Sequence, residues 1–317
     1  MSNRQEQPAQ RFDAVELGIL WDRLISVADE IVETLVRTSF STIVREGYDL
    51  SVMLFDQNGR LLVQGTRSIP VFIGTAPVTL AHMLQRFPPE SLAPGDVVVT
   101  NDPIIGTGHL FDISVMRPVH RGDRLVGYTM SITHLPDIGG MGFSAVATEM
   151  FHEGLRIPIC KLYEGGRINR LLVEMIRENV RVPEQVIGDI LANVSCNEVG
   201  ARQLLAFMAE YGIEDLVPLS RAIRERSEQA MREKIRDIPD GVYRNRIAFE
   251  GIDGPLALAC TIDKRDDEIA IDFAGSSGPV RGGINVPFCY ARAMALYSIK
   301  CLTAPTIPNN EGSVAPV

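Results

Sequence analysis

Nowhere does this chain gather positive charge. Its 31 Lys and Arg are outnumbered by 40 Asp and Glu, for a net charge of −9, and the basic residues form no block. Nucleic-acid and anionic-membrane surfaces need clustered cations, so neither is expected as a partner. Long apolar runs are missing too: none approaches the roughly 20 residues that span a bilayer. The opening "MSNRQEQPAQ" has no apolar core and does not read as a secretory signal. Cysteine pairing motifs are absent. Cys160, Cys196, Cys260, Cys289 and Cys301 are odd in number, scattered, and contain no CxxC, which fits reduced, mostly buried thiols in a cytoplasmic protein. Phosphate-binding signals are lacking: there is no GxxxxGK and no Gly-Lys dipeptide. "GSSGP" is not GxSxG, so no nucleophile elbow is present.

What remains is the composition of an ordinary globular protein, 45% hydrophobic and 22% charged over 317 residues, long enough for a substantial core and two or three lobes. A helix is predicted from Asp13, with Glu16 as capping-box partner. Leu20, Leu24, Val27, Ile31 and Leu35 recur at helical spacing behind it. "DLSVMLFD" and "RLLVQG" read as a hairpin turning at Asn58-Gly59. "APVTLAHMLQRF" reads as a short helix. "GDVVVTND", "FDISVMRPV" and "RLVGYTMSITH" are β-branched and read as strands. Residues 166–236 carry helical patterns broken near Pro183 and at "EYGIEDLVP". Residues 224–236 read as a solvated helix face. Strands return from 242, and "GSSGPVRGGIN" leads to a helix at 288–302; that Gly-rich stretch reads as a flexible turn, or as a backbone nest for an anion. The expected class is α+β, in three regions: a strand-rich part to 165, a helical part over 166–237, and the start of a second α+β lobe over 238–317.

Chemistry concentrates in histidines, of which there are only five: His82, His109, His120, His134 and His152. Two of them open the same phrase. "GTGHLFDISV" holds His109 and Asp112, and "THLPDIGG" holds His134 and Asp137, each pair three apart. Imidazole and carboxylate together suit Zn, Mn or Fe(II). If the strand ending at His134 neighbours the one starting at Asp112, His109 and His134 share a sheet edge. The bland alternative is a hydrogen-bonded pair that orients a loop, and spacing alone does not decide between them. His82, His120 and His152 read as structural. Glu46 and Asp49 stand at the mouth of an apolar strand. Such acids are usually solvated; the other reading is a fourth ligand or a general base.

Several longer phrases, in order along residues 14–317, resemble the hydantoinase B/oxoprolinase family. They are "REGYDLSVMLFD", "TNDPIIGTGHLFDISVMRPV", "THLPDIGG", "EMFHEGLRIPICKL", "NVSCNEVGARQL", "IDFAGSSGPVRGGINVP" and "IPNNEG". The resemblance implies one catalytic divalent metal, Zn, Mn or Fe, held by His109, Asp112 and His134, with Asp49 of the "YDLS" motif as a further ligand. Many relatives carry two adjacent histidines where this chain has His134-Leu135, so any role of a second histidine is missing here. With four ligands assigned, Asp137 is expected to support a ligand histidine or orient a bound water, and Glu46 is kept as a candidate catalytic acid or base.

The family also implies a division of labour. An A-type partner, in a hetero-oligomer, spends ATP and Mg to phosphorylate the substrate, and the B-type chain acts at its metal. The lack of a nucleotide motif here agrees with that. The expected activity is ATP-dependent opening of a cyclic amide: a hydantoin, 5-oxoproline or a lactam. The alternatives are a subunit of an acetone- or acetophenone-type ketone carboxylase, and a non-catalytic scaffold. Family chains are longer, and this sequence resembles the N-terminal larger part of one.

Overall fold

The computed structural model describes residues 12–317; the expectation about the N-terminal decapeptide lies outside them. Helix α1 (Ala14–Thr38) starts where predicted, because the Asp13 carboxylate accepts from the amides of Val15 and Glu16 at 2.9 and 2.8 Å. Leu20, Leu24, Val27, Ile31 and Leu35 are its buried face. Full burial of each such side chain contributes on the order of 1.5–3 kcal/mol.

Seven strands form one antiparallel sheet: β1 (Leu50–Asp56), β2 (Leu61–Gln64), β3 (Val97–Thr100), β4 (Asp112–Arg121), β5 (Arg124–His134), β6 (Cys160–Glu164) and β7 (Arg167–Ile168). Their order is β2-β1-β5-β4-β3-β6-β7. The β1–β2 hairpin turns through Gly59 at φ +72°, a conformation that glycine adopts without strain. The helices are α2 (Thr42–Arg45), α3 (Ala76–Arg86), α4 (Arg170–Asn179), α5 (Pro183–Glu210), α6 (Leu216–Arg236) and α7 (Phe288–Thr303).

Strand β1 is buried at every position, because both faces of the sheet are covered. Leu50, Val52 and Leu54 pack with α1, α5 and α6. Met53 and Phe55 point the other way, to α3 and to Ala293 and Leu296 of α7. An apolar run without alternation is the sequence mark of such a strand.

The three expected regions therefore share cores. Helix α5 lies across α1, β4 and β5, so residue 165 does not separate two packing units. Helix α7 returns to the first sheet: a Cβ on Gly74 would sit 2.5 Å from the Ala293 Cα, and only glycine allows that approach. What stands apart in the last region is a second sheet, β8 (Gly241–Glu250), β9 (Pro255–Arg265) and β10 (Glu268–Asp272), in the order β10-β9-β8. The charged run on α6 is only partly solvated. Ser227, Met231 and Ile235 are buried, and Arg232 reaches Asp267 at 2.9 Å.

No two cysteines are joined. Cys196 and Cys289 are buried, Cys160 and Cys260 half-buried, and Cys301 exposed, so the expected burial holds for only part of the set. Among the described residues no helix is long and apolar enough to cross a membrane.

Candidate metal centre

The β4–β5 ladder builds the site. Its register sets Asp112 opposite His134, so the two side chains start as cross-strand neighbours at one end of the sheet. His109 comes from the loop ahead of β4. Its Nε2 lies 3.2 Å from Asp112 Oδ2, and His134 Nδ1 lies 3.1 Å from Asp112 Oδ1. One carboxylate therefore bridges two imidazoles, whose ring centroids are 5.2 Å apart. One ligand atom from each of the three residues falls within 4.8 Å of the others.

The loop that delivers His109 is clamped from below. Asn101, buried at the end of β3, donates through Nδ2 to the carbonyls of Leu110 and Leu155 at 2.7 and 3.0 Å. Its Oδ1 accepts from the Ile157 amide at 2.6 Å. Glu153 accepts from the Leu110 amide at 3.1 Å. Gly108 takes φ +100°, the left-handed region that favours glycine.

Asp49 reaches the rim by a different route. The chain bends at Tyr48, which holds φ +52°, a costly conformation for a side chain of this size. The Arg67 guanidinium lies over the Tyr48 ring, 4.1 Å from its centroid. The His134 amide then donates to the Asp49 carbonyl at 3.1 Å. The Asp49 carboxylate comes to 3.8 Å from His134 Nδ1, outside the tight group of three.

The charges are strongly coupled. Burial pushes the Asp112 carboxyl up, but hydrogen bonds from His109 and His134 overcome it and hold the group well below the usual carboxylate range. Burial pulls His109 down, but the hydrogen bond and charge of Asp112, with Glu153 and Asp49 behind, leave it raised. The Asp49 carboxyl is raised by burial and then by the Asp112 charge. Two carboxylates, Asp112 and Asp49, face each other across imidazole nitrogens, and a divalent cation is a charge that would balance them. The donor set of two imidazoles and one or two carboxylates fits Zn, Mn or Fe(II).

The second phrase does something else. Asp137 Oδ1 accepts from the Gly139 amide at 3.0 Å and from Arg181 Nη1 at 2.7 Å. Its Oδ2 accepts from the Arg181 amide, and Arg181 also reaches the Gly139 and Gly140 carbonyls. Asp137 thus staples the 137–140 loop to the segment before α5; the expected bond to a ligand histidine is not made. Glu46 is exposed at the end of α2, and no hydrogen bond ties it to the cluster. Leu135, where many relatives carry a histidine, is fully buried in an apolar cluster with Ile113 and Ile138. His82 lies on α3, His120 in β4, and His152 pairs with Glu149 at 3.1 Å; none joins the centre.

Sequence reading missed the residues that stiffen the site. Asp189, Asn193 and Asn197 recur every four residues along α5 and are all buried. Asn193 donates to Thr133 Oγ1 at 2.8 Å, and Asn197 to Ser131 Oγ at 2.7 Å, tying down the strand that ends on His134. Asp189 accepts from the amides of Phe40 and Ser41 at 2.6 and 3.2 Å. Polar residues at helical spacing on an otherwise apolar helix were the available signal. Two aromatics had none: Phe111 stacks on His134 at 5.3 Å, and Phe143 stands edge-on to His109 at 5.4 Å.

Over residues 13–317 the chain matches the family model described as hydantoinase B/oxoprolinase. It is 27% identical to a putative B subunit of a D-/L-hydantoinase from a Pseudomonas species, across 97% of this chain and 55% of that one. Its structure superposes on the ATP-dependent caprolactamase of Pseudomonas jessenii with a TM-score of 0.88 at 26% identity, covering 97% of this chain and 54% of the other. Against a nucleotide-free acetone carboxylase the TM-score is 0.85 at 20% identity, covering 95% of this chain and 42% of that one, a likeness of fold. The chain spans about half the length of the hydantoinase relative and of the caprolactamase chain it matches.

Proposed function

The chain belongs to the hydantoinase B/oxoprolinase family, and on that premise we propose that it is the metal-holding part of a B-type subunit of an ATP-dependent cyclic-amide hydrolase. Its substrate is a hydantoin, 5-oxoproline or a related lactam. The observation that carries this reading is the convergence of His109, Asp112 and His134 within 4.8 Å. They hold one divalent ion, with Asp49 as the fourth ligand at the rim. Such an ion, when bound, polarises an amide and brings the pKa of water toward neutrality.

The rest of the work falls to the chain's own groups. Asp112, kept ionised between its two histidines, supplies negative charge at the base of the site. Phe111, buried, stacks on the His134 ring, and the exposed Phe143 stands edge-on to His109. Asp137 and Arg181 fix the loop behind His134. ATP is left to an A-type partner, in keeping with the missing phosphate-binding lysine motif. The Pseudomonas relative is itself named as one subunit of a hydantoinase, which supports an assembly of more than one chain.

The test is co-purification with that partner. ATP consumption is then followed against hydantoins, 5-oxoproline, lactams, and ketones with bicarbonate, alongside metal content by mass spectrometry. Ring opening that depends on ATP and is lost together with the metal in Asp112→Ala is the expected result. Consumption driven only by ketone and bicarbonate moves the chain to the carboxylases. No turnover of any of them by a metal-loaded complex makes it a scaffold.

A further inference from the structure

The loop that carries His109 holds a second polar side chain, and this one lacks a partner. Thr107 lies two residues before His109, is 3% exposed, and lines a cavity of about 510 Å³ that opens beside the metal centre. Its hydroxyl makes no hydrogen bond. A buried hydroxyl without a partner costs free energy, and native folds keep few of them. The residue is not loosely held. Thr79 Oγ1 donates to the Ile105 carbonyl at 2.7 Å, and the Asp102 carboxylate accepts from the Ile104 amide at 3.1 Å. A Cβ on Gly106 would sit 2.8 Å from the Asp102 carbonyl oxygen, and Gly108 stands at φ +100°. A β-branched side chain has little freedom at χ1, so this backbone leaves the hydroxyl few directions. It lies beside Asp112, whose negative charge it favours, just short of a formed bond.

Asp112 is short of donors once a metal is bound. In the metal-free chain each carboxylate oxygen has one neighbour: Oδ2 meets His109 Nε2 at 3.2 Å, and Oδ1 meets His134 Nδ1 at 3.1 Å. The residue is buried, and among the described residues no backbone amide donates to its carboxylate. The two imidazole nitrogens that face Asp112 are the ones an ion would take. A nitrogen whose lone pair is on a metal has no proton to give. Asp112 then turns one oxygen to the ion and is left with another that is buried and has lost its donor, which is costly. Metal binding thus creates an acceptor without a donor next to a hydroxyl without an acceptor. One bond satisfies both.

We propose that Thr107 is a positioning residue for the metal: its hydroxyl donates to the Asp112 oxygen that does not face the ion, and so fixes the one that does. The inference rests on the metal centre of the proposed function and adds a residue to it. Ligating carboxylates are aimed by hydrogen bonds of this kind. The bond also accounts for a hydroxyl at a buried position where valine has the same shape. In the metal-free chain that hydroxyl contributes nothing. Its effect therefore appears in metal affinity and not in the stability of the empty fold.

The test compares Thr107→Val and Thr107→Ser with the parent chain of 317 residues. Zinc affinity is read by competition with a chromophoric chelator, and urea unfolding is followed with and without zinc. Thr107→Val keeps the shape and removes the hydroxyl, so zinc affinity should fall about 10–100-fold, the range for residues that aim a ligand. Thr107→Ser restores the hydroxyl and should stay within about threefold of the parent, the cost of a freer side chain. Without zinc, the urea midpoint of Thr107→Val should equal or exceed that of the parent, because the hydroxyl lost there had no partner. A fall of less than about twofold in Thr107→Val, below what a supporting residue costs, overturns the inference. Equal falls in Thr107→Val and Thr107→Ser overturn it too, since packing then explains both. So does a lower midpoint for metal-free Thr107→Val, which gives the hydroxyl a partner in the empty fold. A parent chain that takes up no zinc counts against the metal centre and this role together, whereas a parent and a Thr107→Val that load equally well count only against the role of Thr107.

Discussion

His109-x-x-Asp112 and His134-x-x-Asp137 have the same spacing and different fates. In the first phrase both side chains enter the candidate metal centre. In the second only His134 does, and Asp137 turns to Arg181 and the Gly139 amide. The cause lies in the element that each histidine adjoins. Asp112 opens β4 and is held opposite His134 by the ladder. His134 closes β5, so Asp137 lies beyond the last ladder pair, in a loop free to take other partners. Register, and not the interval of three, decides which carboxylate meets the histidines.

The sharpest way to break this asymmetry is to exchange the losses. Asp112→Ala should lower metal affinity by more than about a hundredfold, beyond what supporting residues cost, and leave the purified chain without metal. Asp137→Asn should keep its metal. If metal content falls in Asp137→Asn and survives in Asp112→Ala, ligand and support have been assigned the wrong way round. Asp49→Asn is expected to sit between them, with affinity down about tenfold, because its carboxylate stands at 3.8 Å from His134 rather than inside the triad; chelator competition measures this.

Stability separates the phrases in another way. Asp137→Asn loses a charged hydrogen bond to Arg181 and should cost about 1–2 kcal/mol in urea unfolding. In the metal-free chain the Asp112–His109 pair adds a pH dependence. His109 is raised, so its contribution is complete below the unfolded histidine value of 6.5 and disappears as the pH rises through its higher folded value. Asp112 is depressed, so its contribution persists above 3.8 and disappears only as the pH falls through its lower folded value. Stabilisation by the pair is therefore greatest between those two reference values. That pH dependence should be reduced in Asp112→Ala, where only Glu153 and Asp49 still raise His109, and remain in Asp137→Asn, as read from unfolding midpoints across pH. The smallest effect is expected at Glu46, exposed and outside the cluster: Glu46→Gln should shift metal affinity by less than about twofold, since surface changes of this kind act weakly.

Much of the centre was legible because its signals are local. The β-branched runs marked β4 and β5, and their adjacency was enough to bring His109 and His134 to one edge. The contact of Asp137 with Arg181 was not legible, because the two lie 44 residues apart and no local spacing announces a staple of that kind. Strands and helices were legible as changes of character along the chain, but not the cores they share. That α7 returns to the first sheet depends on one close contact, Gly74 against Ala293, which a sequence shows only as a glycine. The tight approach at Gly282 and Gly283 was hidden for the same reason: glycines that look like freedom in the sequence press here against the Ile252 side chain and the Ser144 carbonyl. The buried Asp189, Asn193 and Asn197 were visible as an anomaly on α5, and their purpose became readable only with Ser131 and Thr133 beneath them.

The central claim, one divalent ion shared by both phrases through three side chains, is tested most directly by anomalous diffraction from crystals of the zinc-loaded chain. The expected map has a single peak at the end of the β4–β5 ladder, with donor atoms of His109, Asp112 and His134 about 2.0–2.2 Å away and Asp137 still on Arg181. A peak held by Asp137, or a fully loaded protein in which the two histidine rings face away from the metal, would contradict it.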